Sequence, residues 1–71
     1  IDEGVSLYEE LLTVMPEHSQ AHFNLGCALV EQGNIVNALN SVENALAIMP
    51  DNEKFLLKKK NITKILEKQK A

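Results

Sequence analysis

Apolar residues return along this chain at intervals of three and four, the spacing that gathers side chains on one face of a helix. Leu39, Val42 and Leu46, with the small Ala38 and Ala45 between them, mark one such face. Phe55, Ile62, Ile65 and Leu66 mark another. Between them stand residues that interrupt a helix. Gly33-Asn34 supplies a chain reversal. Pro50 closes the helix before it, because the residue preceding a proline disfavours α geometry. Ser19 is placed to cap the helix that follows, accepting a hydrogen bond from an otherwise orphan backbone N–H, and Asp51 or Asn52 is placed to cap the next. These signals predict an all-α chain of about four antiparallel helices, over about residues 2–14, 20–32, 35–48 and 53–69.

A wheel at about 100° per residue divides the second helix into two faces. His22, Leu25, Gly26 and Leu29 form a packed side. Gln20, Phe23, Asn24, Cys27, Val30 and Glu31 form the other. A mid-helix glycine such as Gly26 costs about 1 kcal/mol relative to alanine. Its register on the packed side predicts a compensation: two helices approach closely there, with Ala38 and Ala45 equally small on the facing helix.

The chain also repeats itself. "LLTVMPEH" at Leu11–His18 returns as "ALAIMPDN" at Ala45–Asn52, an offset of 34 residues. The offset pairs Pro16 with Pro50, Met15 with Met49 and Val14 with Ile48, and further back Tyr8 with Val42, Val5 with Leu39 and Gly4 with Ala38. Within one period the sequence reads His22-x2-Leu25-Gly26-x2-Leu29, then Ala38-x3-Val42, Ala45 and Pro50. Period and spacing together resemble the tetratricopeptide repeat family, with His22 and Leu29 in two positions where that family carries large aromatics. The resemblance implies a fragment of an antiparallel helix-turn-helix solenoid. In that reading 1–18 is the second helix of a preceding repeat and 19–52 a complete repeat. Residues 53–71 are then a capping helix or the first helix of the next repeat, all within a single domain, 1–71.

In proteins similar to this one the second face of the first helix lines a concave groove that binds peptides. The resemblance therefore makes Gln20, Phe23, Asn24, Cys27, Val30 and Glu31 the candidate partner-binding groove. It makes His22, Leu25, Gly26, Leu29, Ala38, Val42, Ala45 and Pro50 the repeat packing. The apolar stripe of Phe23, Cys27 and Val30 has two readings: contact with a ligand, or packing against a neighbouring repeat or another chain. Some members of the family clamp a C-terminal carboxylate with Lys and Asn, and here Phe23 and Cys27 stand at those places, so the clamp is not expected. Asn24 can both donate to and accept from a peptide backbone.

Chemistry beyond binding has little support in the residues. No nucleophile–base grouping, phosphate loop or paired cysteines occurs, and no catalytic residue, metal or cofactor is expected. His18 and His22 are four apart, but the first precedes the Ser19 cap and no third ligand is evident. Cys27, the lone cysteine, reads as a small hydrophobe and leans toward a reducing, cytoplasmic compartment. The start at Ile1 rather than Met suggests a piece of a longer chain. No apolar run approaches the length of a membrane span.

Charge is segregated. All seven lysines lie from Lys54 to Lys70, and nine of the ten carboxylates lie from Asp2 to Glu53. The lysine-rich stretch reads as a polar cap on the solenoid, with an acidic protein partner as the next reading. Nucleic acid or membrane comes last, because no arginine is present and no aromatic interleaves the lysines. The function expected is a non-catalytic protein–protein interaction or scaffold module. The rivals are a regulatory or substrate-recruiting arm of a larger enzyme, and a self-associating repeat fragment. In the last case Phe55, Ile62 and Leu66 would supply contact area and the lysines orientation.

Overall fold

Prolines and short polar turns cut the chain into four helices in the computed structural model, which describes the backbone of residues 2–70 and the side chains of residues 5–69. The pairing of Gly4 with Ala38 and the chain's first and last residues lie outside the described residues. The helices are α1 (Asp2–Val14), α2 (Ser19–Glu31), α3 (Ile35–Ile48) and α4 (Glu53–Lys70), with no strand among the described residues. They pack antiparallel in chain order, α1 on α2, α2 on α3 and α3 on α4, in a slab of 39 × 29 × 13 Å.

Each turn has a specific cause. Gly33 has φ 81°, a left-handed conformation that side chains resist. It lets the Gly33 and Asn34 N–H groups return to Val30 O at 3.0 Å and Leu29 O at 2.9 Å, closing α2. Pro50 follows the last residues of α3, and Asn52 Oδ1 accepts the Phe55 N–H at 3.1 Å to start α4. The cap of α2 differs from expectation. His18, not Ser19, precedes the helix, and its Nδ1 accepts the Ala21 N–H at 3.0 Å. The helix begins one residue early, because the turn from Met15 already places His18 in extended backbone. Ser19 is thereby the first helical residue, and its hydroxyl donates to the Met49 thioether at 3.1 Å.

The core has two parts. Leu25 and Leu29 of α2, Ile35, Ala38 and Val42 of α3 and Ile62 of α4 form the larger one, flanked by Val5, Tyr8 and Leu12 of α1. Phe23, Ala45 and Phe55 form the smaller. Gly26 sits where α2 and α3 meet. A Cβ added there would lie 2.7 Å from Val42 Cγ2 and 3.2 Å from the Ala38 carbonyl oxygen. Removing the side chain lets the two backbones close, which offsets the loss of helix propensity. The stripe of α4 is turned inward. Phe55 and Ile62 are each 1% exposed, and Leu66 packs against the larger cluster. These three therefore cannot offer contact area to a second molecule, contrary to the expectation from their spacing.

Candidate functional site

The outer face of α2 is part polar surface and part packing. Gln20 and Glu31 are exposed, and Asn24 and Cys27 are half-buried. Gln20 Nε2 donates to Asn24 Oδ1 at 3.0 Å, one helical turn on, and so orients the Asn24 amide. The apolar stripe is drawn into the protein's own packing, the second of its two expected uses. Phe23 is buried because its ring stacks on Phe55 of α4, with centroids 4.8 Å apart and planes 24° from parallel. Cys27 lies against that same cluster, and Val30 lies against the larger one. Lys54 Nζ sits 5.2 Å from the Phe23 ring centroid, close enough for a cation–π attraction. Phe23 is thus a joint between two helices rather than an open groove residue.

The helix that covers Phe23 brings surface of its own. Both α2 and α4 start one residue after their caps, His18 and Asn52, which are 34 residues apart. In that register Lys54 matches Gln20, Leu57 matches Phe23 and Asn61 matches Cys27. All three are exposed, Leu57 by 60%. The sequence conceals them because Asn61–Leu66 resembles Asn24–Leu29 at an offset of 37 residues, a likeness that competes with the 34-residue period. The open face is therefore shared: Gln20, Asn24 and Glu31 from α2, and Lys54, Leu57 and Asn61 from α4. Its character is amide and charge around one exposed leucine.

The packing residues lie together as a hairpin seam. Leu25, Gly26, Leu29, Ala38, Val42 and Ala45 are all buried, and Pro50 is exposed in the turn. His22 does more than fill space. Its Nε2 lies 2.8 Å from the Pro16 carbonyl oxygen, which can only accept, so the ring is the Nε2–H tautomer and donates. That bond ties α2 to the turn before it and leaves Nδ1 buried with no partner. His18 and His22 are each committed to backbone groups. Among the described residues no three His, Cys, Asp or Glu side chains converge on a common point. No helix is long and apolar enough to cross a membrane.

Comparison with known proteins gives one result. The model of the tetratricopeptide repeat family matches residues 19–52, one repeat. Neither a curated protein nor a solved structure matches significantly. The match coincides with the seam described above, from the start of α2 to the turn after α3. The four helices have the arrangement of that repeat, whose members are in general protein–protein interaction modules. No catalytic domain is evident in the 71 residues.

Proposed function

We propose that this tetratricopeptide repeat is a recognition module that binds an extended protein segment across the face shared by α2 and α4. The observation that carries the reading is the α2–α4 joint. Phe23 and Phe55 stack beneath the face, so Asn24, Leu57 and Asn61 are displayed on a rigid floor rather than on a mobile groove. Such a surface suits a peptide backbone, which offers alternating donors and acceptors to amide side chains. Leu57 offers the one large apolar anchor, and binding energy at interfaces concentrates in a few such anchors.

The face can be tested with peptides in place of the natural partner. Peptides would be selected from a random display library against the whole chain, and their affinities measured on variants. Asn24→Ala and Leu57→Ala should each weaken the selected peptides about tenfold, a change of about 1.4 kcal/mol. Val36→Ser, at an exposed position on α3, should leave them unchanged. Peptides that lose affinity with Val36→Ser and keep it with the other two variants would overturn the assignment of the face.

A further inference from the structure

The two ends of the helical stack are complementary, and neither is covered by the chain itself. At one end lies the outward face of α4. Extending the 34-residue period places Lys59, Lys60 and Thr63 where α2 carries Leu25, Gly26 and Leu29. In α2 those positions receive the next helix. In α4 they line, with Leu56, Lys64 and Glu67, a shallow groove of about 420 Å³. Leu56 is 46% exposed at its floor. At the other end lies α1, whose Leu7, Glu10, Leu11 and Val14 share one helical face by their spacing. Leu7 is 63% and Val14 79% exposed, and Leu11 is half-buried between them. Single exposed leucines are ordinary, but a stripe of them along a helix whose opposite side is packed is an unfilled contact.

Charge selects what fits. No lysine or arginine precedes Lys54, and α1 carries Asp2, Glu3, Glu9 and Glu10 without a single base. All seven lysines lie on α4. The end that is apolar and acidic and the end that is grooved and basic belong to the same molecule, at opposite extremes of the stack, since α1 packs on α2 and α4 on α3. We propose that a second copy of this chain seats its α1 on the outward face of α4, forming in trans the helix pair that Lys59, Lys60 and Thr63 leave unmade in cis. Leu56 of one copy meets the Leu7–Val14 stripe of the other, and Lys60 and Lys64 face Glu9 and Glu10. The contact joins unlike surfaces, so it repeats head to tail rather than closing on a dimer. Nucleic acid fits this face less well: there is no arginine, and Phe55, the aromatic of α4, is buried.

The test is the mass of the chain in solution. By sedimentation, the weight-average mass should rise with concentration at low salt and fall back toward a monomer as salt increases. Lys60→Glu with Lys64→Glu should abolish the rise, and so should Glu9→Lys with Glu10→Lys. These residues are exposed and lie outside the core, and circular dichroism would check that both variants keep their helices. Mixing the two variants should restore association, because each supplies the charge the other has lost. Restoration supports the pairing of α1 with α4. A monomer at every concentration overturns the proposal and leaves α4 to an acidic partner of another kind. Association that survives both reversals overturns the choice of faces.

Discussion

Helices α2 and α4 start 34 residues apart behind the same kind of cap: His18 Nδ1 takes the Ala21 N–H at 3.0 Å, and Asn52 Oδ1 takes the Phe55 N–H at 3.1 Å. From there they diverge. Helix α2 packs in both directions along the stack. Its Leu25, Gly26 and Leu29 meet α3, and Ala21 is 1% exposed. Helix α4 packs in one direction only. It carries Phe55 and Ile62 where α2 has Ala21 and Ala28, and it carries lysines and a threonine where α2 has its seam. A periodic turn therefore does not oblige the next helix to continue the solenoid. Side chains at three positions decide whether a helix is a link or an end.

The sharpest way to break the comparison is to remove what α4 has in excess. Phe55→Ala deletes a fully buried ring and the stack with Phe23, and should cost about 3–5 kcal/mol. For a domain of this length that is of the order of its whole stability. Urea melts would measure it, and a loss under about 1 kcal/mol would mean that α4 is not anchored by this ring. Next comes the seam. Gly26→Leu drives a side chain into Val42 and the Ala38 carbonyl, at an expected cost of about 1–3 kcal/mol. Lys60→Leu, the matching change on α4, meets no facing helix and should stay within about 0.5 kcal/mol at dilute concentration. Equal effects at the two sites would erase the distinction between link and end. The smallest effect concerns what the helices share. Asn52→Ala and His18→Ala each strand one N–H, at Phe55 and at Ala21, and each should cost about 1 kcal/mol. Thermal melts of the pair would show whether an imidazole caps as well as an amide; an unaffected His18→Ala would mean that water replaces the ring.

The four helices, their limits to within a residue, the reversal at Gly33 and the close approach at Gly26 were legible in the sequence. They rest on local causes: periodicity, the restriction before proline, and a backbone conformation or contact that only glycine allows. The repeat at 19–52 was legible for a related reason, since small and large residues must alternate at fixed spacing wherever two helices interlock. The fate of the exposed-looking positions was not legible. A helical wheel places Phe23 opposite the packed side, but only the docking of α4 determines that this face is covered at Phe23 and left open at Asn24. In the same way the wheel finds the stripe of Phe55, Ile62 and Leu66 without saying whether it turns toward its own chain or toward another. His18 displaced Ser19 as a cap because the turn from Met15 fixed the backbone one residue early. Periodicity reports that a helix has an apolar face; which molecule buries that face is a matter of long-range packing, where one ring meeting another outweighs any local preference.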